Sequence, residues 1–201
     1  MEASGPGSGF KIALRDLELR GAGNILGPEQ SGHLRSLGLD LYCRFLAEAA
    51  QKGAEKPLPS DVSVSLPLDA CFPQSYIQNT STRLSLYWRL AKPLSPEEVE
   101  EMEREIEDLF GPLPPQARNL LYIVRLKSKA RRIGISSISR RGGEIVIKPE
   151  RGEILERARA AGGRVKVGAS QIRLSILRLS EEEWKEELER LLDFLLRISE
   201  N

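Results

Sequence analysis

Ser95-Pro96-Glu97-Glu98 and Gly111 bracket the clearest helix in the chain. A serine N-cap, a proline at the first helical position and Glu98 just beyond it make a capping box. Between the brackets, Val99, Met102, Ile106, Leu109 and Phe110 recur at steps of three and four residues and form one apolar face. A helix this short gains most of its stability from what that face packs against. Its neighbours must therefore supply a matching apolar layer.

They do so in alternating helical and extended patterns. Pro114-Pro115 opens a second helix that runs to about Gly134. Ile135–Ile138 and Glu144–Ile147 flank Arg141-Gly142-Gly143, the pattern of a β-hairpin. A short helix is expected around Glu153 to Ala160, then strands at Val165–Val167 and Ile172–Ile176. Ser180-Glu181-Glu182-Glu183 caps a last helix, with Trp184, Leu188, Leu191, Leu192, Leu195 and Ile198 as its core stripe. Upstream, Val62, Val64 and Leu66 alternate with serines, a strand signal. A helix from about Gln74 to Ala91 would hold Tyr76, Leu84, Tyr87, Trp88 and Leu90 on or near its buried side.

The front of the chain reads differently. Residues 10–32 lead into Arg20-Gly21-Ala22-Gly23-Asn24-Ile25-Leu26-Gly27-Pro28-Glu29-Gln30-Ser31-Gly32, where the glycine density forbids a regular helix. A helical pattern follows from about His33 to Lys52, through Leu34, Leu37, Leu41 and Phe45, and Gly53 is its natural stop. The fold class is therefore α+β. An N-terminal loop plus long helix (1–53) and a linker (54–61) precede a compact domain (62–201) of helices packed on a small mixed or antiparallel sheet. The small, flexible opening Met1–Gly9 reads as a junction or a cut through a longer protein.

Composition narrows the chemistry. The formal net charge of +1 gives no global pull toward nucleic acid or anionic membrane, so any DNA contact must be local. Cys43, Cys71 and the single histidine, His33, lack the spacing of a zinc site. Free thiols point to a reducing, cytoplasmic setting. No apolar run reaches membrane-spanning length, so no membrane partner is expected. The chain contains no Gly-Lys-Ser/Thr phosphate loop, and Gly21-x-Gly23 does not complete a dinucleotide fingerprint. Carboxylates are plentiful, but none forms an acid/base pair with a recognisable pocket.

Glycines let a backbone pass close to another surface and expose N–H groups. Arg20 and Gln30 at the two ends of the loop are suited to a phosphate or a neighbouring loop. Taken with Phe10–Leu19, Leu26-Gly27 and Gln30-Ser31-Gly32, the segment resembles the TRG motif. That motif is shared by RecG helicases and transcription-repair coupling factors. Thr82-Arg83-Leu84-x-x-Tyr87 and Asp108-x-Phe110-Gly111-x-Leu113-Pro114 resemble stretches of the C-terminal domain of the coupling factors, which RecG-like chains lack.

The resemblance implies a fragment of an ATP-dependent DNA translocase that displaces stalled RNA polymerase and recruits nucleotide-excision repair. ATP and magnesium would belong to the parent's motor lobes, with no cofactor and no ATPase activity in this fragment. Arg20 and Gln30, hinged by Gly21, Gly23, Gly27 and Gly32, would couple the motor to double-stranded DNA. The last domain would pack on the parent's own N-terminal UvrB-like domain and mask the UvrA-binding surface. RNA polymerase would be met by other parts of the parent. Glu105 and Asp108 correspond to the carboxylates of that interdomain contact. Spacing adds that Glu101, Glu105 and Asp108 share one helix face. Read without the resemblance, that face is more simply an ordinary solvated one. The cationic helix end at Arg125, Lys127, Lys129, Arg131 and Arg132 is either a DNA contact or a placement that suits the helix terminus. A stand-alone DNA-binding module and a RecG-like helicase tail remain the alternative functions.

Overall fold

The computed structural model describes residues 62–199, so the loop, long helix and linker expected over 1–61 lie outside the described residues. Ser63–Ser65 forms β1, followed by helices α1 (Thr80–Leu90), α2 (Pro96–Phe110) and α3 (Pro115–Ile133). Strands β2 (Ile135–Arg141) and β3 (Glu144–Pro149) make the hairpin. Helix α4 (Glu153–Ala158) runs into a single 3-10 turn, and β4 (Val165–Val167), β5 (Ile172–Ser175) and α5 (Glu181–Ser199) complete the fold.

The five strands form one sheet in the order β1-β2-β3-β5-β4. β1 runs parallel to β2, and every other pairing is antiparallel. This is the expected α+β class, with helices on one face of a mixed sheet. Strand alternation sends Ile138, Ile147, Ile172 and Leu174 into the core. The helices close over that face. α3 lies against β1 and β2, α5 packs along α3, and α4 touches β4 and α5. Leu120, Leu121 and Leu126 of α3 and Leu188, Leu192 and Leu195 of α5 are fully buried between them.

Helix ends form where the sequence places them. Ser95 Oγ accepts from the Glu98 N–H at 3.2 Å, and the Glu98 carboxylate accepts from the Ser95 N–H at 2.6 Å. Ser180 and Glu183 repeat the same reciprocal pair at the start of α5. Gly134 ends α3 in the left-handed conformation at φ +88°, a backbone that a side chain would strain. Trp184 is core as expected; the side chain of Ile198 lies outside the described residues.

Two expectations are corrected here. The helix expected from about Gln74 begins only at Thr80, because Asn79 caps it by accepting from the Thr82 N–H at 2.9 Å. Tyr76 and Ile77 instead sit in a turn whose N–H groups donate to the Pro73 carbonyl. Their spacing mimics the helical period without belonging to it. Trp88, expected in the core, is 38% exposed, with Lys92 Nζ 3.8 Å from its ring centroid. The buried side of α1 is set by Leu84, Tyr87 and Leu90, and Trp88 falls on its margin.

The Thr82–Tyr87 stretch does its work inside the fold. Arg83 is only 5% exposed, and its guanidinium donates to the carbonyls of Ile77 at 2.6 Å and Gln78 at 3.4 Å. Tyr87 Oη accepts from the Phe72 N–H at 2.8 Å, and the two rings meet at 5.2 Å. Together they bind the irregular segment before α1 to the helix. Arg83→Met keeps the aliphatic stem and removes those donors, leaving a buried carbonyl unpaired. It is expected to destabilise the chain by about 1.5–3 kcal/mol. Urea unfolding would show this as a lower midpoint at unchanged m-value.

Candidate interaction surface

Helix α2 is two-sided. Val99, Met102 and Ile106 are buried, whereas Glu101 and Asp108 are exposed and Glu105 is half-buried. Successive residues rotate by about 100°, so Glu101, Glu105 and Asp108 lie within a narrow arc. The structure thus brings the three carboxylates together on one face.

They are not equivalent. Arg89, near the end of α1, donates both terminal nitrogens to Glu105, at 2.7 and 2.5 Å, in a two-pronged ion pair. The hydrogen bond from Arg89 holds the Glu105 carboxyl below its ordinary range, with the guanidinium charge adding to the effect. The same hydrogen bond raises the Arg89 pKa. Glu105 therefore ties α2 to α1 as well as facing outward. Among the described residues, the side chains of Glu101 and Asp108 make no hydrogen bond or ion pair.

Leu109 was expected on the apolar face and is instead 64% exposed. It lies in the last turn of α2, on the border between the core stripe and the acidic arc. Phe110 turns inward in its place and meets the Tyr76 ring edge-on at 6.1 Å. The rest of the Asp108–Pro114 stretch is structural. Gly111 takes φ +84°, its carbonyl accepts from Tyr76 Oη at 2.6 Å, and Leu113 is buried. Asp108 and Leu109 stand out because the fold uses neither. The site is thus an exposed leucine flanked by carboxylates, chemically suited to a partner that offers arginines around an apolar contact.

The cationic end of α3 is largely spoken for. Arg125 donates to Glu103 at 3.2 Å and Glu189 at 3.3 Å, Lys129 meets Asp193 at 2.7 Å, and Arg132 reaches Glu97 at 3.8 Å. These pairs tie α2, α3 and α5 together and give Arg125, Lys129 and Arg132 carboxylate partners within the fold. Sequence reasoning missed Arg89 as the partner of Glu105. Only its position in the last turn of α1 hinted at a role, and the contact depends on the crossing of two helices.

Arg20, Gly21, Gly23, Gly27, Gln30 and Gly32 lie outside the described residues. Among the described residues, no group of His, Cys, Asp and Glu could hold a metal ion, and no helix is long and apolar enough to cross a membrane.

A family model for the TRCF domain matches residues 66–158. The chain is 32% identical to the transcription-repair-coupling factor of Staphylococcus haemolyticus over 206 residues, covering 96% of this chain and 17% of that protein. Identity to the factor of Staphylococcus aureus is 35% over 209 residues, covering 96% and 18%. The chain belongs to the transcription-repair-coupling factor family. Its fold resembles the crystal structure of the C-terminal domain of a transcription-repair coupling factor. That match has a TM-score of 0.62 at 21% identity and covers 70% of this chain and 95% of the other. The chain spans about a sixth of the length of the curated relatives it matches. The TRCF match ends at residue 158, yet β4, β5 and α5 of this coupling-factor chain complete the same sheet and core.

The Arg89–Glu105 pair has a pH signature. Both side chains are about two-fifths exposed, so solvent screens the pair, and Glu105→Gln is expected to cost about 0.5–1 kcal/mol at neutral pH. Because the folded carboxyl titrates below its unfolded value, the pair stabilises above the unfolded pKa. That contribution is lost as pH falls through the lower folded value. Urea midpoints of parent and variant should differ at pH 7 and converge in strong acid.

Proposed function

We propose that this chain is the coupling and regulatory end of an ATP-driven DNA translocase, and that its α2 surface docks on another domain of the same protein. The observation that carries the docking is the pairing of an exposed Leu109 with Asp108, two adjacent residues that the fold itself does not use. Docking there would mask the surface that binds UvrA until the parent engages a stalled RNA polymerase. Glu105 contributes in a second capacity, since a carboxylate already gripped by Arg89 keeps lone pairs for an arginine from outside. The loop ending in Arg20 and Gln30 would relay motor movement to duplex DNA.

The test uses the full-length protein. Asp108→Arg alters no contact of the described fold, so any change in binding it causes can be read as an interface effect. Asp108→Arg, alone and with Glu105→Arg, is expected to increase UvrA binding in a pull-down or by surface plasmon resonance. Unchanged binding in both would remove the docking role. Arg20→Ala or Gln30→Ala should leave ATP hydrolysis intact while abolishing movement along DNA; retained translocation in both would remove the coupling role. The isolated chain is expected to give no DNA-stimulated ATP turnover in a coupled phosphate-release assay.

A further inference from the structure

The face of the sheet turned away from the helices has its own chemistry. Register places Ser65, Ser139, Val146, Arg173 and Lys166 in one row across all five strands. Lys148 lies two residues along β3 from that row, opposite Ser137. Toward the hairpin turn, Arg141 faces Glu144. Lys148, Lys166, Arg173 and Arg141 are all exposed. The single carboxylate among these positions, Glu144, meets Arg173 only at a long 4.0 Å. Among the described residues, Lys148, Lys166 and Arg141 form no ion pair. In a chain of net charge +1, this is a local excess of positive charge on one flat surface.

The pattern also argues against a protein partner centred on the row, since the exposed Leu177 lies at the hairpin end against Gly143. Protein interfaces centre on apolar or aromatic anchors. Here Val146, the lone apolar residue of the row, is 4% exposed and offers no anchor. None of the face positions is aromatic, so the stacking platform that holds single strands is absent. Hydroxyls and unpaired cations are the groups that hold a sugar-phosphate backbone. Lys148 and Lys166 are separated by two strand spacings across the sheet and two residues along it, roughly 12 Å at about 4.8 Å per strand and about 3.3 Å per residue. Long side chains at that separation can reach phosphates on two strands of a duplex.

We infer that the open face of the sheet is a weak, sequence-independent contact for the phosphate backbone of double-stranded nucleic acid. It is separate from the α2 surface and from the Arg20–Gln30 loop, and it does not rest on the docking proposed for α2. It lies on the side of the sheet opposite the helix layer, so it stays accessible while α2 is covered.

The whole 201-residue chain serves for the test, with fluorescence anisotropy on two unrelated 20-base-pair duplexes and on one matching single strand. Equal binding to both duplexes is expected, falling with salt at a log–log slope of about −3, near −0.9 for each phosphate neutralised. Lys148→Glu with Lys166→Glu should weaken binding at least tenfold and flatten the slope by about 2. Arg104→Glu with Arg118→Glu, which makes the same charge change on exposed helix positions, should have little effect. Arg20→Ala with Gln30→Ala forms a separate arm. The sheet variants should lower affinity by a similar factor whether or not the loop is altered. Lys148→Gln with Lys166→Gln, a milder pair, guards against misfolding, and circular dichroism melts monitor all variants. Equal losses in the sheet and helix variants, undiminished binding in the sheet variants, tighter binding to the single strand, or no duplex binding would each overturn the proposal.

Discussion

Burial of α3 on both sides is the constraint from which the rest follows. One face of this helix rests on β1 and β2 while another meets α5, and Ala117, Leu120, Leu126 and Ala130 leave no surface to solvent. A helix so placed must be apolar over most of its circumference, which explains why its pattern is less one-sided than that of α2. It also explains the parallel β1 strand. The chain leaves β1, builds α1 to α3 over the sheet and returns as β2 beside its starting point, the crossover that a parallel pair requires.

Around this spine, charge is organised by contact. Carboxylates of α2 and α5 meet the cations of α3 along the seams where the helices touch. Such partly exposed pairs add little stability individually but fix the registry of the helix layer. They also give Arg125, Lys129 and Arg132 carboxylate partners within the fold. On the far side of the sheet, Arg141, Lys148 and Lys166 are left without ion pairs among the described residues. Two chemically different surfaces result, an acidic one with an exposed leucine on α2 and a cationic, hydroxyl-rich one on the open sheet face.

The family's characteristic stretches divide along the same line. Arg83, Tyr87, Gly111 and Leu113 are explained by the hydrogen bonds and packing they make within the domain. Asp108 interrupts the pattern, because burial and internal bonding leave it out, and Leu109 beside it, at a position the stretch leaves open, is 64% exposed. That contrast between used and unused residues supports an interaction role more strongly than acidic character, which an ordinary solvated face would share.

Helix boundaries, the hairpin and the strand alternation were legible in the sequence because each rests on local chemistry. Ser95, Ser180 and Gly134 act on the backbone within a turn of themselves, and alternation at Val62–Leu66 follows from the pleat alone. The same locality made residues 74–77 misleading, since apolar spacing there imitates a helix that Asn79 postpones. The acidic arc on α2 could be read from spacing, but the state of each carboxylate could not. Arg89 is sixteen residues from Glu105, and their meeting depends on how two helices cross. The exposure of Leu109 and Trp88 was equally hidden, because each lies on a stripe margin where only the neighbouring element decides between core and solvent. The pairing of the α3 cations, and the gathering of Lys148, Lys166 and Arg173 onto one face, came from tertiary structure alone. Sheet order and helix packing join residues far apart in the chain, and no local preference encodes those distances.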